Sequence, residues 1–295
     1  MRLIKTKRTP YYFMVPAFII ITSFLLIPIF FAIILSFTDV TLLKILKELN
    51  FIGFDNFVKF LTSNDFRDSI KATVIFVIGS VTFSFVVGLL IALLLNQKVR
   101  FGFIFKGLLI LPWAVPQVVV VLIIKWLFTV QYGLVNYVGS QLGIIPLDYS
   151  FFTSTNSAMF VILISTIWRA YPLSAIMLLA GMKSIPDELY ESASIDGANP
   201  FQKFFHITMP GLKYVSLSLL LLLIVWGIGN FVFVWLFTKG GPFNSTAVLA
   251  IFSYKNAFVF GDVGYGASIG VVALLFSLIV SIFYYFVFMR RLGHN

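Results

Sequence analysis

Cysteine is missing from all 295 residues, and with it go disulfide frameworks, thiolate metal sites and a cysteine nucleophile. Histidine is nearly missing: His206 and His294 are too few and too far apart to argue for a metal centre. Charge is scarce, at 11% of residues against roughly 25% in soluble domains, while 60% of residues are hydrophobic. Such a chain is an integral membrane protein. The phosphate-cradling pattern G-x-x-x-x-G-K-[ST] does not occur, so the chain cannot hold ATP phosphates in the usual way. No cluster of nucleophile, base and acid lies in or beside the apolar runs, which removes the ground for a membrane enzyme. The net charge of +10 does not point to nucleic acid, because the basic residues stand in short clusters flanking apolar runs.

What is present is a series of those runs. Crossing a bilayer takes about 20 apolar residues in a helix, and six segments qualify: Tyr11–Phe37, Ala72–Leu95, Ile104–Phe128, Ala158–Met182, Val215–Phe237 and Gly264–Met289. The first follows Arg2, Lys5, Lys7 and Arg8 as a signal peptide would, but it is too long for an h-region and no small-residue cleavage site follows, so it reads as a true span. With the N-terminus in the cytoplasm, twelve Lys and Arg lie inside: those four, Lys98, Arg100, Lys106, Lys183, Lys203, Lys213, Arg290 and Arg291. Eight lie outside, and the outer loop Thr129–Ser157 has none. Six spans then put both termini and the loop 183–213 in the cytoplasm. The chain reads as all-α, a polytopic membrane protein with a single transmembrane domain over 1–295.

Small and kinking residues hint at the packing. Ser80, Ser84, Gly88 and Ala92 recur every four residues, a stripe that lets helix backbones approach closely in lipid, and Gly266 and Gly270 repeat the pattern in the last span. Pro112, Pro116 and Pro172 lie within spans, where proline removes a helix hydrogen bond and is expected to kink them. The stretch Asn50–Asp68 has apolar residues at mixed helical spacing, suited to a membrane surface or a docking partner.

The cytoplasmic loop is punctuated differently. Ser184 is placed as an N-cap, Pro186 in the first turn, and Asp187 and Glu188 where the helix dipole favours negative charge. Gly197 can end that helix, Asn199-Pro200 caps a second, and Pro210 stops it. Glu191, Ser192, Ala193 and Ser194 give the first helix a small, flat surface ending at Asp196. Phe201, Phe204, Phe205 and Ile207 give the second an apolar side.

Glu191, Ala193, Gly197, Ile207 and Pro210 stand at the spacing of the EAA loop, so the chain resembles the permeases of ABC-type importers. Ser192 replaces the middle Ala of that pattern and Met209 its Leu. "LILPWAVP" at Leu109–Pro116, "FTKGGP" at Phe237–Pro242, and "YKNAF" to "GYGASI" over Tyr254–Ile269 resemble the maltose-type sugar permeases in particular. The resemblance implies a type I ABC importer permease core with a cytoplasmic EAA coupling helix, seated in a bacterial inner membrane. It implies a second permease subunit, a homodimeric or heterodimeric cytoplasmic ATPase that carries the ATP and Mg, and an extracytoplasmic solute-binding protein. This chain then binds no cofactor, and its partners are those subunits, membrane lipid and a sugar, with no nucleic acid. Glu191, Ser192, Ala193, Asp196, Gly197, Ile207 and Pro210 become the ATPase-coupling residues.

Sugars are held by aromatic faces against C–H surfaces and by amide or guanidinium groups on hydroxyls. Trp226 and Asn230 supply both, one helical turn apart in the fifth span. Alignment to the maltose-type permeases places Thr166, Arg169, Ala170, Leu223, Trp226, Gly227 and Asn230 along the substrate pathway. Leu173 and Gly227 stand where that family has aromatic and amide side chains, which argues against maltose itself. Arg169, the one deep charge, either lines the pathway or snorkels to the outer surface or a partner's carboxylate. The alternatives to a sugar importer are a permease for another polar solute, such as a glycerol phosphate, and an ion-coupled carrier, which predicts buried acids and internal repeats. Asn244-Ser245-Thr246 matches a glycosylation sequon but reads as polar loop.

Overall fold

The computed structural model describes residues 9–43, 49–97 and 102–289. Arg2, Lys5, Lys7, Arg8, Lys98, Arg100, Arg290, Arg291 and His294 lie outside the described residues. Among the described residues, four helices are each long and apolar enough to cross a membrane: Tyr12–Ser36, Asn64–Asn96, Thr155–Lys183 and Val263–Phe288. Two bent pairs bring the possible total to six: Gly102–Ala114 with Gln117–Leu127, turning by 90°, and Pro200–Gly211 with Lys213–Ile228, turning by 67°. The chain is a multi-pass membrane protein.

The Pro116 bend is the kink expected of the third span, and a break after Ile228 corrects the expectation of an uninterrupted fifth span. Pro116 lacks an N–H and sits at φ −56°, ψ 137°, outside the helical region, so the third span stops at Ala114 and restarts at Gln117 in a new direction. Pro112 is carried inside the first half, and the Thr155–Lys183 helix runs on through Pro172. The fifth segment, expected as Val215–Phe237, ends at Ile228 and resumes as Val232–Thr238. Gly227, Gly229 and Asn230 are poor helix formers, and Gly229 and Asn230 turn their N–H groups back on Val225 and Gly227 carbonyls.

The chain divides into two compact units. In the first, residues 1–66 with 252–274, Asn56 Nδ2 donates to the carbonyls of Ser36 (3.1 Å) and Thr38 (2.9 Å), tying the helix Asp55–Leu61 to the end of the first span. Phe60 is fully buried among Phe66, Phe252 and Tyr265. Gly266 lies against Ala257 and Gly270 against Ser253, as the small-residue reading of the last span requires.

The second unit, residues 67–251 with 275–295, carries two apolar cores. One joins Val81 and Ala92 to Leu178, Leu179 and Met182 and to Leu219 and Leu223. Here the stripe of the second span meets the fourth: Ser80, Ser84, Gly88 and Ala92 are all buried, and a β-carbon on Gly88 would run into Ser174 Cβ. Lipid tails are as apolar as leucine, so close backbone packing of this kind, not dehydration, holds such helices together. The other core sets Phe76, Val120, Ile162 and Phe233 around Ala247 and Ile251. Polar pins cross it. Thr73 Oγ1 accepts the N–H of Leu249 (3.0 Å), and Lys125 Nζ donates to the carbonyl of Leu236 (3.0 Å) near the end of the Val232–Thr238 helix.

Candidate functional site

The breaks in the third and fifth spans meet at one place in the second unit. A cavity of ≈ 330 Å³ is lined by Ser80 and Ser84 of the second span, Trp113 and Gln117 on either side of the Pro116 bend, and Thr166, Arg169, Ala170 and Leu173 of the fourth span. Leu223, Trp226, Gly227 and residues 229–233 complete it from the fifth. All five expected pathway residues, Thr166, Arg169, Trp226, Gly227 and Asn230, therefore border a single space. Asn230 reaches it in a way periodicity did not foresee: it lies past the end of the Lys213–Ile228 helix, in the break, and not one helical turn along from Trp226. Gly227 contributes backbone and lies close against Val77.

The lining is mostly apolar, with Ser80, Ser84, Gln117, Thr166, Arg169 and Asn230 set into it. Arg169 Nε, Asn230 Oδ1 and Ser84 Oγ are buried polar atoms with no hydrogen-bond partner among the described residues, each normally costly to leave unpaired. No Asp or Glu lines the cavity, so the guanidinium faces no counter-charge there. Arg169 is one of the residues lining the cavity. Thr166 Oγ1 donates to the carbonyl of Ile162 (2.8 Å) and keeps only its acceptor capacity for a solute. Trp113 and Trp226 are about half exposed, leaving ring surface open. The sequence places candidate residues on the fourth and fifth spans alone; the cavity also takes in Ser80 and Ser84 of the second span, and Trp113 and Gln117 from either side of the bend in the third.

A second construction lies in the 183–213 loop. Ser184 does not cap the helix after it: its Oγ donates to the carbonyl of Gly181 (2.7 Å) and closes the helix before, while Pro186 takes the N-cap position of Asp187–Ile195. That helix ends in a Schellman turn, with Ala198 N–H on Ala193 O (2.8 Å), Gly197 N–H on Ser194 O (3.2 Å), and Gly197 at φ +78°, a conformation that favours glycine. Asn199 and Gln202 then form a reciprocal capping box at 2.8 and 2.9 Å. The second helix does not stop at Pro210. A wider turn over Phe204–Thr208 carries it to Gly211, and the chain turns at Leu212.

Two bonds lock the helices into a hairpin: Tyr190 Oη with Thr208 Oγ1 at 3.0 Å, and Lys203 Nζ donating to Ser194 Oγ at 2.6 Å. Glu191, Ser192, Asp196, Gly197 and Pro210 are exposed. Ala193 and Ile207 border a shallow hollow of ≈ 210 Å³ with Gln202, Lys203 and His206. Glu191 forms no ion pair among the described residues. The hairpin thus presents a rigid small-residue face flanked by exposed Ile195 and Phe205.

Against known proteins, the chain is similar to the trehalose/maltose transport system permease protein of Thermococcus litoralis, 32% identical over 80% of this chain and 79% of that one. It is 34% identical to the diacetylchitobiose uptake system permease protein of Streptomyces coelicolor, over 85% of this chain and 77% of that one. Its fold superposes on a permease chain from the crystal structure of a bacterial alginate ABC transporter in complex with an alginate pentasaccharide-bound periplasmic protein, with a TM-score of 0.84 at 23% identity over 99% of this chain and 97% of that one. A likeness at that identity speaks for the type I importer permease fold. The model of the binding-protein-dependent transport system inner membrane component matches residues 84–292, which takes in the hairpin and all of the cavity lining but Ser80 and Val81, and this chain belongs to that family of ABC transporter permeases.

Proposed function

We propose that the ≈ 330 Å³ cavity between the broken third and fifth spans is where a carbohydrate crosses, and that the 187–211 hairpin couples the crossing to ATP hydrolysis on a partner. The observation that carries the solute reading is the combination of Trp226, Asn230 and Arg169 lining one cavity: an aromatic face, an amide and a guanidinium, two of them with unpaired buried atoms. A carbohydrate matches these with C–H faces and hydroxyls. The relatives named for trehalose, maltose and diacetylchitobiose support the same class.

In this reading the chain is one transmembrane permease domain with both termini in the cytoplasm. It pairs with a second permease, accepts solute from an extracytoplasmic binding protein, and binds no cofactor of its own; ATP and Mg sit on two ATPase subunits. The hairpin is the handle. Closing of the ATPases moves two hairpins together, and the spans they continue into alternate the cavity between the two sides of the membrane. Glu191 faces a basic groove on the ATPase, Ala193 and Ser192 allow close approach, and Gly197 and Pro210 hold the shape.

Arg169 favours a second reading of the solute within the same mechanism. A guanidinium with no acid in its cavity suits a solute bearing an acidic group, such as a uronic acid sugar or a glycerol phosphate. Uptake into cells expressing the permease pair, ATPase and binding protein separates the two. Neutral disaccharides entering, and Arg169→Gln affecting them little, supports a neutral sugar; entry of acidic sugars that Arg169→Gln abolishes supports the acidic one. No sugar entering, with a polar non-sugar solute carried instead, would overturn the carbohydrate assignment.

A further inference from the structure

The third span brings to the cavity a tryptophan and a carboxamide, as the fifth does. Trp113 precedes Gln117 by four residues, and Trp226 precedes Asn230 by four. Each pair straddles a chain break: Ala114 to Gln117 in one case, Ile228 to Val232 in the other. All four residues line the one cavity. On an unbroken helix a residue and the fourth after it share a face at fixed spacing. Here the 90° turn at Pro116 makes Gln117 the first residue of a helix pointing away from the one that holds Trp113. The amide is thereby freed from the helix face and the tryptophan left at a helix end, 43% exposed, close to the 49% of Trp226. Both indoles keep close to half their surface uncovered beside the one cavity that also takes in the two amides.

We infer that Trp113 and Gln117 form a second carbohydrate-contacting pair, so that a solute of two or more sugar rings meets one aromatic and amide pair on the third span and another on the fifth. This rests on the reading of the cavity as the sugar pathway and extends it to a span that the sequence had not placed there. Each pair does the same chemistry: the indole face takes the C–H surface of a ring, and the amide, with donor and acceptor, takes hydroxyls. The site is then built across the hinge of the third span. Solute contact and the angle at Pro116 are read by the same residues.

The absence of native cysteine makes the test direct. Single Gln117→Cys and Asn230→Cys variants of the full transporter, with its second permease, ATPase and binding protein, are labelled with a thiol reagent in membranes, with and without trehalose, maltose, diacetylchitobiose or an alginate oligosaccharide. Slower labelling of both positions by one and the same sugar is the expected result. Protection at 230 without protection at 117 overturns the second pair while leaving the pathway reading intact. Protection at neither position by any of the four overturns both. Uptake provides a second measurement: Gln117→Ala is expected to raise KM by about three- to tenfold, Gln117→Asn to restore much of it, and Trp113→Leu to change the ranking among the sugars. A uniform drop for all sugars, matched by lower membrane abundance and not rescued by Gln117→Asn, would mean that these residues serve only the bend.

Discussion

Reversing the charge at Glu191 separates folding from coupling within one side chain. Glu191 is exposed on the Asp187–Ile195 helix and forms no ion pair among the described residues, while the hairpin is held by Tyr190–Thr208, Lys203–Ser194 and the Asn199–Gln202 box, none of which includes it. Replacing such a surface residue changes stability by about 0.5 kcal/mol or less. Truncating one member of a charge pair buried between two proteins costs about 2–5 kcal/mol, and reversal adds repulsion. At about 1.4 kcal/mol per tenfold, the affinity of the hairpin for the proposed ATPase groove is then expected to fall by at least about 30-fold. The interface term exceeds the folding term several times over. Glu191→Lys should therefore insert and melt like the parent, yet lose the ATPase on affinity purification and lose solute uptake. Normal uptake would refute the docking role, and a permease that no longer accumulates in the membrane would refute the claim that the residue is free of the fold.

Three further outcomes follow from named contacts. Gly88→Val pushes a branched side chain into Ser174 and the Ala175 backbone, an overpacking cost of about 1–3 kcal/mol, and should lower the melting temperature of the purified transporter, whereas Leu90→Val, on an exposed face of the same helix, should not. Asn199→Ala removes the reciprocal capping box and should weaken the hairpin by about 1 kcal/mol, read as faster amide exchange over 187–211 with the spans unchanged. Trp226→Ala and Asn230→Ala should each reduce solute-dependent stimulation of the ATPase with basal hydrolysis unaltered; full stimulation in both variants would move the pathway away from this cavity.

The membrane character, the presence of long apolar helices and the helix–turn–helix of the 183–213 loop were legible in the residues because each depends on local chemistry. Twenty apolar residues specify a span whatever surrounds them. Gly197 at positive φ and the Asn199 cap act within a few residues of chain, and both are found where the sequence places them, while the reciprocal bond from Gln202 emerges only in the structure. The buried stripe from Ser80 to Ala92 was legible too, since its period belongs to one helix. Ser184 was misread because serine serves equally to start a helix or to close one, and only the preceding turn, ending on the Gly181 carbonyl, decides between them. The cavity was half legible. Trp226, Asn230 and Arg169 could be picked out as unusual in an apolar chain, but their meeting with Trp113, Gln117 and Ser84 could not. That meeting depends on a 90° turn at Pro116 and a break at residues 229–231. A sequence marks where a helix is weak, but the angle taken there is set by packing against the other spans, and so by tertiary structure alone.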